Sequence, residues 1–296
     1  MRPIRLVVFV LALAAAGRPA VLEAQGRGVP GDIVFNSARD GNNEIYRMNW
    51  NGDVPLRLTT DPASDVEPAM SPNGRDVIFT SNRAGNNDIF IVSSAGGTAV
   101  NLTNNAANDG WARWSPNGQQ IVFHSNRDGN FEIYVMNANG TAPTRLTDSP
   151  AVDQFPDWSP NGRKIVLRHD NDIYTVDVTT GDSERLTDVG PLNQMAAWSP
   201  NGQQLVFMST RAGYPSVFLM NADGSGQTNL TAKTPGDADS DWVSRAPSWS
   251  RNGLIFFMSS RPGTGLDTEI FVMLPNGTGV RRLTTSIGVD GNPRGR

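Results

Sequence analysis

The chain has 296 residues, 38% of them hydrophobic and 8% aromatic, with a formal charge of −4. That is enough for a sizeable core, and it lacks the basic excess that nucleic-acid binding would call for. Gly 30 and Pro 20 indicate many tight turns, and the absence of cysteine excludes disulfides and a lipid-modified N-terminal Cys.

In chain order, the first element is a targeting segment. Arg2 and Arg5 precede an apolar run from Leu6 to Ala16, closed by Gly17-Arg18-Pro19. The run is too short for a bilayer, which takes about 20 residues. Its charged start and the small residue Ala24 fit a secretory signal over 1–24, followed by a short linker over 25–30. Cleavage after Ala24 would remove three arginines and one glutamate, taking the formal charge from −4 to −6.

From residue 31 the sequence repeats itself. Ser-Pro-Asn-Gly occurs at 71–74, 115–118, 159–162 and 199–202, and Ser250-Arg251-Asn252-Gly253 is an altered fifth copy. The spacings of 44, 44, 40 and 51 residues suit blades of a propeller. Within one repeat, "QQIVFHS", "FEIYVMN" and "TRLT" are β runs separated by Gly/Asn/Asp turns, and a Trp-Ser-Pro strand precedes them. No window shows helical periodicity beyond the signal, so the predicted class is all-β. The segment 31–60 matches strands two to four of a repeat without its opening strand. "VDGNPRGR" at the C-terminus matches the start of that missing strand. Together they complete one blade, which gives six blades over 31–296 in a ring without an open edge.

The recurring Pro-x-Trp-Ser-Pro-Asn-Gly, Ser-x-Arg-x-Gly, Ile-Tyr-x-Met-Asn and Leu-Thr phrases resemble the TolB-type β-propeller family. The family typically has Asp where this chain has Asn73, Asn117, Asn161, Asn201 and Asn252, and TolB carries an α/β domain before its propeller. The resemblance implies a periplasmic protein-binding propeller, with an envelope lipoprotein among the candidate partners.

Repetition also separates scaffold from site, because a single binding site needs a residue only once. Trp114, Trp158, Trp198 and Trp249 recur before Ser, with Met70 in one copy, and read as blade-to-blade packing. Arg39, Arg83, Arg127, Arg211 and Arg261 also recur. Glu44, Asp88 and Glu132 follow the first three by five residues, and Glu269 follows Arg261 after a longer turn. These read as pairs across a turn, worth about 1 kcal/mol or less if exposed. The Asn-x-Thr sequons at Asn101, Asn139, Asn229 and Asn276 follow repeat chemistry and not glycosylation.

The exceptions gather where each repeat enters its opening strand. Asp65, Asp109, Asp153, Asn193, Ser244 and Asp290 hold one position and are expected to circle the channel mouth. Two residues on, Trp111, Phe155 and Met195 form an apolar run in consecutive repeats, beside Glu67, Ala246 and Asn292. The longer loop before blade six adds Trp242 and Arg245. This ring reads as a surface for a protein or peptide with a basic group. Turn caps for the aspartates and loop packing for the apolar three remain open alternatives.

Catalytic patterns are thin. Neither a Gly-x-Ser-x-Gly elbow nor a phosphate-binding Gly-x-x-x-x-Gly-Lys loop occurs, and His124 and His169 fall at neighbouring, not equivalent, strand positions. "DADSD", with Asp237, Asp239 and Asp241, opens like a calcium loop. It then has Trp242 where the turn glycine belongs and Ser248 where the bidentate Glu belongs. The expectation is an exported, monomeric, non-catalytic binding propeller, without cofactor except for calcium as the weak candidate. A carbohydrate-active or peptidase-associated propeller, or a carbohydrate- or ion-sensing module, is the alternative.

Overall fold

The computed structural model describes residues 32–53, 55–188, 190–232, 243–260 and 267–295. Six four-stranded antiparallel sheets stand around a central channel. Five are continuous in sequence. The sixth pairs Asp290–Gly295 with Asp32–Ser37, so the two ends of the chain share blade one as the fragments predicted. The innermost strands of blades two to six are Asp65–Met70, Asp109–Trp114, Asp153–Trp158, Asn193–Trp198 and Ser244–Trp249. The expected signal segment lies outside the described residues.

Each Ser-Pro-Asn-Gly unit turns the innermost strand into the second. In blade two, Gly74 N–H donates to Ser71 C=O (2.9 Å), and Ser71 Oγ and the Arg75 N–H both donate to Asn73 Oδ1 (2.8 and 2.9 Å). Only an acceptor oxygen is needed there, which is why Asn and Asp serve equally. The Leu-Thr phrase is a lock on the outer strands. Thr59 Oγ1 accepts from Ile45 N–H and donates to the buried Glu44, which Arg57 also holds at 2.7 Å. Blades three, four and six repeat this with Thr147–Glu132–Arg145, Thr187–Asp172–Arg185 and Thr284–Glu269–Arg282.

The apolar triplets of the second and third strands do not form one central core. They form six clusters, one at each blade-to-blade interface. Ala69, Ile78 and Ile89 of blade two, for example, meet Ala112, Ile121 and Phe123 of blade three. Phe35, Phe79, Phe123, Phe207 and Phe257 have no exposed surface, and burial of each contributes about 1.5–3 kcal/mol. The tryptophans before Ser pack against these clusters, as the repeat pattern indicated.

Candidate partner-binding site

The innermost strands carry one irregularity, and all six share it. The strand register shifts between the second and fifth residues, so the third and fourth face a single partner residue. This is a β-bulge. The third residue takes a left-handed conformation in every blade: Glu67, Trp111, Phe155, Met195, Ala246 and Asn292, with φ from 48° to 59°. None is glycine, so each bulge carries conformational strain of about 1–2 kcal/mol. Proline follows in four blades (Pro68, Pro156, Pro247 and Pro293), where the missing N–H leaves no gap in the ladder.

The aspartates lie elsewhere than the channel surface on which they were expected. Asp65, Asp109, Asp153, Asn193, Ser244 and Asp290 are at most 2% exposed and turn into their own blades. Arg83 holds Asp65 at 2.6 Å, Arg127 holds Asp109 at 3.0 Å and Arg39 holds Asp290 at 3.0 Å. Arg211 donates to Asn193 (3.0 Å), Ser244 shares a hydrogen bond with Ser259 (3.1 Å), and His169 takes the arginine's place beside Asp153 (2.7 Å). The recurrent arginines therefore do not pair with Glu44, Asp88 or Glu132 across the turn. They reach back to the innermost strand while stacking on aromatic pairs, as Arg83 does over Phe79 and Phe90 at 5.5 and 4.9 Å. Burial pushes the Asp65, Asp109 and Asp153 carboxyls up, against the pull of their hydrogen-bond and cationic partners. These are buried polar locks, and removal of one partner costs about 3–5 kcal/mol, well above the value for an exposed pair.

The third-position residues form a file around the channel, in direct contact from blade two to blade four. Glu67 Oε2 accepts from the Trp111 N–H (2.9 Å) and from Thr80 Oγ1 (2.8 Å). The Trp111 ring meets Phe155 edge-on, with centroids 4.7 Å apart. Trp111 is only 3% exposed and packs inside, whereas Glu67, Phe155, Met195 and Asn292 are half-buried. Arg168 lies over Phe155 and bridges Gln154 (2.6 Å) and Gln194 (3.0 Å) of adjacent blades. His124 sits beside the same file, 6.0 Å from Phe155, and burial with Arg168 and Arg113 nearby pulls its pKa down to about 3. Arg245 is exposed at this end. Trp242, Asp237, Asp239, Asp241 and Arg261 lie outside the described residues.

One functional column escaped the sequence reading. The fifth residues of the innermost strands are Ala69, Arg113, Asp157, Ala197, Ser248 and Arg294. Strict alternation from the first position would have grouped them with the buried aspartates, and the bulge breaks that phase. Charges among small residues in one column of the repeat were the available signal.

Two family models match the chain: the TolB beta propeller domain over residues 29–110 and the Tricorn protease N-terminal beta propeller domain over residues 86–169. No curated protein matches it. Among solved structures, TolB from Acinetobacter baumannii superposes with a TM-score of 0.75 at 20% identity, over 93% of this chain and 70% of its own. A TolB structure from Agrobacterium tumefaciens gives 0.68 at 22% identity, over 88% and 91%. An oligogalacturonate lyase from Vibrio parahaemolyticus gives 0.56 at 14% identity, over 86% and 74%. At these identities the likeness to solved structures is one of fold. The chain is thus a β-propeller similar in fold to TolB, with the TolB propeller model matching its residues 29–110.

Proposed function

We propose that this propeller is an exported, non-catalytic binding module that receives a protein or peptide segment at the channel end where the innermost strands begin. The observation that carries the reading is the file of third-position residues. Its backbone conformation repeats six times and so belongs to the scaffold, while its side chains differ in every blade. Strain kept at six positions, with non-repeating side chains set beside the channel, is the mark of a surface shaped for one partner. Half-buried Phe155 and Met195 supply apolar contact, with Gln154, Gln194 and exposed Arg245 as polar rim. The TolB structures support a protein partner by likeness, and among the described residues no helix is long and apolar enough to cross a membrane.

The test begins with envelope proteins retained by the immobilised mature chain. The affinity of each purified candidate is then measured for wild type and for F155A/M195A. A partner bound at least tenfold more weakly by the double variant, at unchanged melting temperature, supports the site. Equal affinity removes it. Turnover of pectic oligosaccharides or peptide esters above background would overturn the non-catalytic part.

A further inference from the structure

At the opposite end of the channel, where the Ser-Pro turns emerge, lies a cavity of about 390 Å³. Its inner lining includes Arg113, Asp157 and Arg294, the charged members of the fifth-position column. Its outer walls include Trp114, Trp198 and Trp249 with the prolines of the turns.

Arg113 is the unusual residue. It is 3% exposed, and its Nη1 donates to Ala112 C=O (2.7 Å) and reaches Glu67 C=O (3.5 Å). Its guanidinium lies over the Trp111 ring, 5.0 Å from the centroid, and its Nε and Nη2 have no hydrogen-bond partner. A guanidinium with two unmet donors is among the most expensive groups to bury, and four blades have no guanidinium in this column. Asp157 does not neutralise it. That carboxylate accepts from the Trp198 N–H at 3.2 Å, and among the described ion pairs none joins it to Arg113 or Arg294. The cavity lining thus carries three guanidinium groups, Arg113 and Arg294 inside and Arg251 donating to Pro72 C=O (2.7 Å), against the one carboxylate of Asp157, under aromatic and proline walls.

We infer that this cavity binds an organic carboxylate, with its anionic group on Arg113 and Arg294 and its apolar body against the tryptophans. The excess of guanidinium over carboxylate in the lining suits an anion. A planar fork with two free N–H groups matches the two oxygens of a carboxylate. The side chains that would hold the ligand differ from those of the partner surface proposed above, and Arg113 joins the two regions through Glu67 C=O and the Trp111 ring. The carboxylate comes either from a small free acid or from the end of a peptide chain, and both present the same group.

Calorimetric titration of the whole mature protein tests this with benzoate against its neutral isostere benzamide, and with Gly-Gly-Phe against the C-terminally amidated peptide. Trp114, Trp198 and Trp249 provide a fluorescence readout. One carboxylate is expected to bind at a single site with a Kd below about 10 mM, at least tenfold tighter than its neutral counterpart. R294Q and R113M are each expected to weaken it at least tenfold. R113M is also expected to melt no lower than wild type without ligand, because an unpaired buried cation is removed. Tighter binding of the peptide than of benzoate assigns the site to chain ends, and the reverse assigns it to small acids. Absence of binding by both carboxylates, equal binding of the neutral isosteres, or full affinity in R294Q overturns the inference. Should R113M not fold, the half-buried Arg294 and the neutral isosteres still decide it.

Discussion

His124 shows how one residue's surroundings decide its chemistry. It is 8% exposed, between Phe131 and Phe155, and faces the cations Arg113 and Arg168. In the folded protein it stays neutral until about pH 3, whereas in the unfolded chain it takes a proton near pH 6.5. Between these values the unfolded state binds the extra proton, so this residue's contribution to stability is present above pH 6.5 and is lost as the pH falls toward 3. Urea unfolding of wild type and H124Q at pH 7.5 and 4.5 isolates the effect. The wild type is expected to lose about 2–3 kcal/mol more than the variant across that range. Equal losses would mean that His124 is protonated inside the channel. The sequence identified His124 only as one of two histidines. Its place in the file depends on the register of the second strand against a bulged neighbour, which spacing alone does not convey.

At the scale of the element, two turn glycines share a backbone conformation and differ in what surrounds them. Gly118, in a Ser-Pro-Asn-Gly turn, has φ 71°, and a Cβ added there would meet nothing nearer than Pro72 Cδ at 3.6 Å. Gly140, in the turn between the third and fourth strands of the same blade, has φ 84°, and a Cβ there would meet the backbone oxygen of Leu102 at 2.5 Å. Leu102 belongs to the neighbouring blade, so Gly140 is a point of contact between two backbones. Gly118→Ala is therefore expected to cost about 1 kcal/mol, from conformation alone. Gly140→Ala should cost at least about twice that, because a blade interface has to move. Thermal melts of the two variants compare them directly, and equal shifts would refute the contact. The turns were legible in sequence because Pro, Asn and Gly act within four residues. The bulges were not, because none of the six has glycine at the left-handed residue and only Asn292 is of a type that favours that conformation. The aspartates, expected at the channel mouth, lie inside the blades because each finds a cationic or imidazole partner within its own blade, which spacing did not reveal.

At the scale of the molecule, the architecture was readable because repetition reports each element several times over. Period, turn chemistry and the complementary end fragments together specified six blades and the shared one. What repetition could not specify is which blade departs from the pattern in a way that matters, as Arg113, Asp157 and Arg294 do. Ring closure itself is open to test. Deleting 290–295 removes the ladder to Asp32–Ser37, the Arg39–Asp290 pair and the Ser248 Oγ hydrogen bond to Pro293 C=O (2.7 Å). Each lost hydrogen bond contributes about 0.5–1.5 kcal/mol, and the innermost edge of blade one is left open. The truncated protein is expected to melt well below wild type and to aggregate on heating. An unchanged melting curve would show that the ring holds without its clasp.

The shared blade also puts the ring on a clock. Arg39 and Asp290 are 251 positions apart, and every contact between the first and last strands spans a comparable length of chain. A ribosome or translocation pore delivers residues in order, so blades two to six are complete while blade one still lacks its innermost strand. Until Asp290–Gly295 emerges, the chain is an open arc in which the edge of Asp32–Ser37 is unpaired. A holdase with an affinity for bare strand edges would have its longest opportunity in that interval. Six residues at the end of the sequence thus set the earliest moment at which the protein can be finished.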